Sequence, residues 1–496
     1  MSKRHVVVVG GGLAGITAAI RLRDAGVAVT LLESRPRLGG AASSYARAGM
    51  MIDNGQHVFL RCCSSYQGLL ARLGVTGQVA IQDRFDVTVL SGAVSSRTGA
   101  RPARLRRSGL PSPLHLAGAL ARFPLLSLAE RARVGRAALA FRFADPASPV
   151  LDRQPLGDWL AARGQDEPAR RRLWDLFIIS ALNIGGDDAS AGLAATVIKT
   201  ALLGRRDAAD IGMATVPQGR LHAEATANLL ARLGAEVRLG ARASGIERLA
   251  GGGFRISLSR GDVVGEETGP ADAGPANSDA ADTSSGSGQS VLADGVVLAV
   301  PPGQAARLAS SAGAATVPAW DQLGASPIVN VHLIYDRQVM KLPFVAAVDS
   351  PVQWVFDKTR QSGLQAGQYL AVSLSAADDY VDMPVAALRE LFVPALEQLF
   401  PAAAGAGITD FFVTRERRAT FRQAPGSGAL RPGAATSVPG LVLAGSWTNT
   451  GWPDTMEGAV RSGHNAAQEL TDELTSLPSA DRAAATIGSP EWSGAS

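Results

Sequence analysis

The sequence predicts an α/β protein with a parallel sheet, and three neighbouring features near its N-terminus indicate this class. Residues 6–9 are all valine and predict a short buried strand. A glycine-rich turn follows, and then a helical pattern runs from Ala14 to Ala25 and ends at Gly26. Residues 27–33 predict a second strand. A strand, a helix and a strand of this total length suit a parallel crossover connection.

Later segments continue the alternation of strands and helices. We predict a helix at residues 221–233, strands at 235–239, 254–258, 296–300 and 440–445, and a last helix that opens near residue 452. Residues 265–290 are rich in Gly, Ser, Asp and Ala. They bury too little apolar surface to order themselves and predict a disordered insertion at a hairpin tip. Residues 477–496 predict a disordered tail.

The composition argues against several classes of function. The 496 residues include 48 basic and 44 acidic side chains, and a net charge of +4 does not indicate a nucleic-acid partner. Cys62 and Cys63 are adjacent, which favours neither a disulfide nor a zinc site. We therefore predict a reduced, cytoplasmic setting and no metal. We find no signal peptide and no apolar run of about 18 residues, so we expect no membrane-spanning helix.

Residues 97–143 are strongly basic. Residues 97–107 carry five arginines and predict a basic loop, and residues 114–143 alternate apolar and arginine positions at helical spacing. We interpret this second part as one or two amphipathic helices broken near Pro124. Two interpretations stay open: a helical part of a substrate domain with a solvated face, or a contact with an anionic membrane surface. The second would place the protein peripherally on the inner membrane face. The sequence does not indicate an oligomeric state.

The turn after the first strand reads Gly10-Gly11-Gly12-Leu13-Ala14-Gly15 and fits G-x-G-x-x-G. Gly10 allows the tight turn, Gly12 lets the backbone approach a pyrophosphate, and Gly15 lets the helix pack closely on the strand. The N–H groups at the helix N-terminus suit phosphate binding. Glu33 ends the second strand, where its carboxylate suits ribose hydroxyl groups. These features predict a dinucleotide site, although they do not distinguish FAD from NAD.

Four later segments accompany this motif. They are Arg37-Leu38-Gly39-Gly40-Ala41, the run from Met51 to His57, the glycine-ended strand from Gly440 to Ser446, and the helix opening from Trp452 to Val460. With the N-terminal unit they resemble the FAD-dependent amine oxidases and phytoene-type desaturases. Within that superfamily, the runs around Asp53–His57 and Trp447–Gly463 are most similar to the squalene-associated FAD-dependent desaturases, which are hydroxysqualene dehydroxylases of bacterial hopanoid synthesis. The resemblance covers most of the chain.

The resemblance implies a fold with two domains and FAD as the cofactor. The first is a discontinuous, glutathione-reductase-like Rossmann domain for FAD, made of residues 1–85, 205–305 and 430–475. The second is a mixed α+β substrate domain, made of residues 85–205 and 305–430, with a helical part that is a candidate for membrane contact.

The resemblance also implies which residues hold FAD. They are Gly10, Gly12, Leu13, Ala14, Gly15, Glu33, Ser34, Arg35, Gly39, Gly40, Ala41, Gly55, Gln56, His57, Ala243, Pro301, Gly445, Ser446, Thr455, Met456 and Ala459. Two positions depart from the family pattern. Ala41 stands where a basic residue is common, and Ser446 stands where an acid commonly bonds the ribityl chain of the flavin.

The implied reaction removes the allylic hydroxyl group of hydroxysqualene, a polyprenoid lipid, and gives squalene. In that reaction reduced flavin delivers a hydride from its N5 atom to an allylic carbon as the hydroxyl group leaves. His57 is a candidate proton donor, because histidine exchanges protons near neutral pH. A hydrogen-bonded histidine of the cofactor loop is the open alternative. Trp447 and Trp452 are candidates for the wall of an apolar substrate cavity, with core or cofactor packing as their alternative.

Three other functions stay open for such a chain. Two are enzymes on the same scaffold: an oxidative desaturase of a polyprenoid, and a small-amine oxidase. The second is less favoured, because amine oxidation calls for tyrosines beside the flavin and none of the five tyrosines lies near Trp447–Met456. The third is a flavin-binding protein without catalysis that acts as a lipid-binding partner of a synthase.

Overall fold

A computed structural model describes residues 4–95, 102–260, 289–315 and 318–476. The predicted insertion at 265–290 lies outside the described residues except for its last two, and the predicted tail at 477–496 lies outside them entirely. The strands are β1 (His5–Val9), β2 (Ala28–Glu33), β3 (Ser44–Arg47), β4 (Met50–Asp53), β5 (Val58–Leu60), β6 (Val79–Ile81), β7 (Asp86–Ser91), β8 (Ala103–Arg106), β9 (Ile211–Ala214), β10 (Glu236–Leu239), β11 (Ala241–Arg248), β12 (Phe254–Arg260), β13 (Ser290–Ala293), β14 (Gly295–Leu298), β15 (Ser326–Tyr335), β16 (Phe344–Val348), β17 (Trp354–Asp357), β18 (Gln368–Leu374), β19 (Ile408–Thr420) and β20 (Leu441–Leu443).

The helices separate and cover these strands. They are α1 (Leu13–Asp24), α2 (Ser64–Leu73), α3 (Gly92–Ser95), α4 (Ala117–Ala121), α5 (Leu128–Phe143), α6 (Pro149–Asp152), α7 (Leu156–Ala161), α8 (Glu167–Ala169), α9 (Asp175–Leu182), α10 (Ala191–Val197), α11 (Ala225–Arg232), α12 (Pro302–Ser311), α13 (Thr359–Ser362), α14 (Val385–Leu399), α15 (Ser427–Leu430) and α16 (Met456–Ser476). Single wider turns at Arg170–Trp174, Ile198–Leu202 and Arg220–Glu224 adjoin α9, α10 and α11.

The predicted parallel sheet has five strands in the order β10-β2-β1-β14-β20, all parallel. The four valines of β1 are at most 3% exposed, because α1 and α16 cover one face of the sheet and strands β11, β12 and β13 cover the other. Helices α1 and α16 pack side by side on one face of the sheet. A Cβ atom on Gly463 of α16 would lie 2.3 Å from the carbonyl oxygen of Ala14, so this glycine allows the two helices to touch. These features confirm the predicted α/β class.

A second sheet has seven strands in the order β19-β15-β18-β17-β16-β7-β8. The remaining sheets are smaller: β11-β12-β13, β3-β4 and β5-β9-β6. Strands β12 and β13 are antiparallel, so the predicted insertion joins the two strands of a hairpin. In β9, Gly212 has no side chain, which leaves room for the ring of Phe59. That ring packs against Tyr66, and both belong to the cluster of buried side chains that covers one face of the five-stranded sheet. The domain limits given above stay predictions.

The basic segment differs in part from its prediction. Residues 103–106 form β8 rather than a loop, because their apolar side chains alternate inward and pair with β7. Residues 97–101 lie outside the described residues. Beyond them, the chain is helical at 117–121 and 128–143 with a break around Pro124, as expected. Ser127 and Glu130 form a capping box that starts α5.

Candidate functional site

The glycine turn between β1 and α1 is packed so closely that side chains do not fit at two of its positions. A Cβ atom on Gly10 would lie 2.3 Å from the carbonyl oxygen of Ala299, and one on Gly15 would lie 1.9 Å from that of Gly10. Gly12 precedes α1 without a side-chain cap, and a Cβ atom there would meet no atom nearer than 3.9 Å. The uncapped N-terminus of α1 therefore suits an anionic phosphate group.

The second glycine pair lies against this turn. The Gly39 N–H donates to the carbonyl oxygen of Gly11 at 2.9 Å, and a Cβ atom on Gly40 would lie 3.0 Å from the Cα atom of Gly12. Gly39 and Gly40 both have positive φ angles, of 107° and 58°. Two segments that are separate in sequence thus form one cradle of bare backbone, as a pyrophosphate requires.

Glu33 ends β2 beside the same turn. Its carboxylate accepts hydrogen bonds from the N–H groups of Gly11 and Arg35, at 2.7 and 2.8 Å, and from the Ser34 hydroxyl at 3.2 Å. A carboxylate has about four acceptor positions, so one is left for a ribose hydroxyl group. Two donors near this cradle also fit a bound cofactor. The Nε atom of Arg37 and the Nε2 atom of Gln56 are buried and have no hydrogen-bond partner among the described residues.

The loop after β20 is held by a buried arginine. The guanidinium group of Arg431 donates to the carbonyl oxygens of Ser446, Trp447 and Thr448, at 3.0, 3.3 and 2.6 Å. Burial lowers the pKa of Arg431 to about 10, which leaves the group charged at neutral pH. Gly445, at a φ of 144°, donates its N–H to the Ser462 hydroxyl at 2.8 Å. The loop is therefore fixed against the first turns of α16.

A carboxyl group lies beside Ser446. The Ser446 side chain hydrogen-bonds to Asp454, and Asp454 also accepts from the Phe421 N–H at 2.8 Å. Burial raises the pKa of Asp454, against the opposing effect of these two bonds and of Arg431. A serine hydroxyl and a carboxyl group thus lie together in the loop that the sequence assigns to the flavin end.

The other predicted residues of this region have different surroundings. Thr455 accepts from the Gly458 N–H at 3.2 Å and, with the half-buried Met456 and Ala459, marks the start of α16. Pro301 is exposed directly before α12. The Ala243 side chain lies in the core, at a bulge of β11. Because this side chain is buried, a ligand would contact Ala243 through its backbone.

The two tryptophans, Trp447 and Trp452, lie in different surroundings. Trp447 is 4% exposed, donates its indole N–H to the carbonyl oxygen of Val300 at 3.0 Å, and packs against Trp320. Its ring packs in the cluster of buried side chains that contains Trp320, and a place in the wall of a substrate cavity stays a prediction. Trp452 is half-buried, with the guanidinium group of Arg461 4.8 Å above its ring.

An ion pair that the sequence did not predict connects the cofactor loops to the seven-stranded sheet. The Nζ atom of Lys358 lies 2.8 Å from Oδ2 of Asp53, and both side chains are buried. Asp53 also accepts from the Ser44 hydroxyl at 2.7 Å and from the Gln218 N–H at 2.9 Å. Burial raises the pKa of Asp53, but Lys358 and these bonds outweigh it, so the net pKa is below the usual value. The carboxylate is therefore ionised and has a structural role.

His57 lies beside this pair. The ring is half-buried, and its Nε2 atom lies 3.2 Å from the carbonyl oxygen of Ala41. Burial lowers the pKa of His57, although the carboxylate of Asp53 acts in the opposite direction. The neutral ring is therefore favoured at neutral pH, with the N–H at Nε2 donating to Ala41.

Polar side chains of β15 and β19 face the same loops. Asn330 donates from Nδ2 to the carbonyl oxygen of Asn54 at 3.5 Å, and the amide of Asn54 donates to Oε2 of Glu416 at 3.3 Å. Behind them, His332 bonds the Thr414 hydroxyl at 3.0 Å, and burial lowers the pKa of this histidine to about 3. No sequence motif predicts this group, because its members come from strands that are distant from the loops in the chain.

Half-buried apolar side chains also lie on β5, β9, α9 and β17. Leu60 of β5, Met213 of β9, Phe177 of α9 and Trp354 of β17 all pack against the cluster of buried side chains that contains Phe85. The indole N–H of Trp354 donates to the Ser180 hydroxyl at 2.8 Å. Helix α9 and strand β17 thus carry apolar side chains that are only partly covered.

Comparison with known proteins decides the family. The model of the flavin containing amine oxidoreductases matches residues 13–471. The chain belongs to this family. It is 31% identical to hydroxysqualene dehydroxylase of Rhodopseudomonas palustris, over 94% of this chain and 98% of that protein. It is 24% identical to the zeta-carotene desaturase of Zea mays, over 96% of this chain and 85% of that protein.

Solved structures show the same fold. The cyclohexylamine oxidase of Brevibacterium oxydans superposes with a TM-score of 0.65 at 18% identity, over 96% of this chain and all of that one. The family and the fold confirm that the protein is an FAD-dependent oxidoreductase. In the described ranges, no helix is long and apolar enough to cross a membrane, and no group of three His, Cys, Asp or Glu side chains could hold a metal ion.

Proposed function

We propose that this flavoenzyme replaces the allylic hydroxyl group of hydroxysqualene by hydrogen and gives squalene. The observation that carries the proposal is the 31% identity, across nearly the whole of both chains, to a hydroxysqualene dehydroxylase. The desaturase is less similar, at 24%, and the amine oxidase shares the fold alone. Bound FAD, once reduced, supplies the hydride in this reaction.

The residues of the chain have separate tasks in this proposal. The cradle of Gly10–Gly15 and Gly39–Gly40 binds the pyrophosphate, and Glu33 binds a ribose. Ser446 and Asp454 hold the ribityl chain. The apolar side chains around Phe177 and Trp354 receive the hydrocarbon and exclude water. Water is then kept from competing with the hydride at the reacting carbon.

Product analysis tests the proposal. The purified protein, reconstituted with FAD and chemically reduced without oxygen, is incubated with hydroxysqualene, and squalene is quantified by mass spectrometry. Phytoene and putrescine, each offered to the oxidised enzyme, serve as comparison substrates. We expect squalene to form and neither comparison substrate to be consumed. Oxidation of phytoene or putrescine without squalene formation would reject the proposal in favour of the desaturase or the amine oxidase.

A membrane surface supplies such a substrate, and we propose that α5 binds it. Along α5, Leu128, Ala132, Gly135, Leu139 and Phe143 all fall on one exposed stripe at helical spacing. Leu128 and Phe143 are 78% and 80% exposed, which is unusual for large apolar side chains arranged together. The opposite face, with Val134, Ala137 and Phe141, is buried in the protein.

Basic groups flank this stripe. Arg136 lies on one side of it, Arg142 on the other, and both are exposed. Nearby, Arg205 and Arg206 line a shallow cleft of about 430 Å³ with Pro111, Ser112 and Asp207. Leu110 and Leu114 are exposed in the neighbouring loop. An apolar stripe between guanidinium groups suits insertion among anionic lipid headgroups.

Vesicle sedimentation tests this docking. We expect binding to anionic vesicles that weakens with salt, and little binding to neutral vesicles. Replacing Leu139 and Phe143 by serine removes about 1.5–3 kcal/mol of apolar burial for each side chain, so the affinity falls at least about tenfold per residue. Leu292→Ser, at an exposed leucine of β13, is the matched control. Equal binding of the double variant and the wild type, or of both vesicle types, would reject the docking surface.

A further inference from the structure

Strand β19 borders both loops that the sequence assigns to the flavin end. Near its middle, Oε2 of Glu416 accepts a hydrogen bond from the Asn54 amide at 3.3 Å. Just after its end, the Phe421 N–H donates to Oδ2 of Asp454 at 2.8 Å. The segment 416–421 therefore runs between the loop of Asn54 and the loop of Asp454. A side chain that points from this segment toward those loops faces the cofactor site.

The register of the sheet places Glu416 in a polar group. In the β15–β19 pairing Thr414 is opposite Asn330 and Glu416 is opposite Ile328, so Asn330, Thr414 and Glu416 share one face. Asn330 and Glu416 both bond to Asn54. The Oδ1 atom of Asn330 is buried and has no partner among the described residues. This acceptor is therefore available to a bound ligand or water molecule.

Two ionisable side chains near Asn54, Asp53 and His57, are unsuited to donate a proton. Asp53 is held as a carboxylate by Lys358 and two further hydrogen bonds. His57 is favoured in its neutral form, with Nε2 directed at the carbonyl oxygen of Ala41. Glu416 is half-buried, accepts one amide hydrogen bond and has no ion-pair partner in the part of the chain that the structure describes.

We propose that Glu416 is the acid that protonates the departing hydroxyl group of the substrate, with Asn330 accepting a hydrogen bond beside it. This inference rests on the proposed function. The carbon–oxygen bond breaks, the proton of Glu416 goes to that oxygen, and the product is water. The hydride and its two electrons, supplied by reduced FAD, form the new carbon–hydrogen bond. Glu416 then regains a proton from solvent.

A substrate whose leaving group needs no proton distinguishes the loss of an acid from structural damage to the site. The formate ester of hydroxysqualene loses formate, a weak base, whereas the alcohol itself would lose hydroxide without a proton donor. We compare single-turnover rates of the wild type, Glu416→Gln and the control Glu247→Gln with both substrates. Glutamine keeps the acceptor for Asn54, and Glu247 is an exposed residue of β11. FAD content and absorbance spectra confirm that each variant is folded and loaded.

We expect Glu416→Gln to slow the reaction of the alcohol by about a hundredfold to ten-thousandfold, the usual contribution of a general acid, and to slow that of the ester less than about threefold. Glu416→Asp retains a carboxyl group, and we expect the alcohol to react faster with it than with Glu416→Gln. An equal loss with both substrates, or no loss with the alcohol, would overturn the assignment of Glu416 but not the proposed function. A wild type that makes no squalene would overturn the proposed function as well.

Discussion

The buried pair of Lys358 and Asp53 gives a stability prediction of definite size. Its atoms are 2.8 Å apart, and the side chains are 11% and 2% exposed. At an effective dielectric constant of about 20, the attraction at this distance is about 6 kcal/mol, but removing the two ions from water costs several kcal/mol each. The intact pair therefore contributes little, whereas an unpaired carboxylate is costly. We predict that Lys358→Met lowers the free energy of unfolding by about 3–5 kcal/mol.

The loss depends on pH with a sign that the structure determines. In the wild type the pKa of Asp53 is below its usual value, so its contribution to stability is present above the unfolded pKa of about 3.9 and is lost as the pH falls through the folded pKa. In Lys358→Met, burial dominates and the pKa lies above the usual value. The variant then loses stability as the pH rises above about 4, which is the opposite of the wild type.

Urea unfolding at pH 5 and pH 8 measures this effect in the wild type, Lys358→Met, Asp53→Asn and the double variant. We expect a coupling energy of at least about 2 kcal/mol, and a double variant that is more stable than Lys358→Met because no charge stays buried. Lys341→Met, at an exposed lysine, is the control and is expected to change stability by less than about 0.5 kcal/mol. If Lys358→Met were as stable as the wild type at both pH values, Asp53 would have to be accessible to water, and the reasoning would fail.

Three further changes probe the cofactor site. Gly15→Ala forces a Cβ atom to within 1.9 Å of a carbonyl oxygen, so the apoprotein should lose measurable FAD binding in a fluorescence titration, whereas Gly68→Ala, with nothing within 4 Å, should keep it. Arg431→Met leaves three loop carbonyl groups without their donor, and flavin absorbance per protein should fall several-fold; full retention would contradict the role of Arg431. His57→Gln should keep the rate of squalene formation within about tenfold of the wild type, because the ring is already neutral; a hundredfold loss would assign the acid to His57.

Features that depend on neighbouring residues could be predicted from the sequence. The valines of β1 and the glycines at 10, 12, 15, 39 and 40 satisfy local requirements, which are a strand buried on both faces and backbone that a ligand can approach. Each requirement restricts the residue type at its own position. The same holds for the break around Pro124, where the capping box of Ser127 starts a new helix.

The partners of the cofactor loops could not be predicted in this way. Lys358 is 305 residues from Asp53, and Glu416 is 362 residues from Asn54. Their contacts depend on the register between β15 and β19 and on how the seven-stranded sheet meets β4. Alternation of apolar and polar residues gives the face of a strand but not its partner. His57 was therefore the only titratable candidate for the proton donor that the sequence motif offered.

Ser446 also has a partner that its position in the sequence does not predict. Compared position by position with the family pattern, the chain lacks an acid after the glycine of β20, which weakens the case for FAD. In three dimensions a carboxyl group is present, because Asp454 turns back to bond the Ser446 side chain and the Phe421 N–H. Arg431 fixes the loop between them through three carbonyl groups. The fold thus brings a hydroxyl group and a carboxyl group together from two positions that are eight residues apart in the chain, which a comparison of single positions does not reveal.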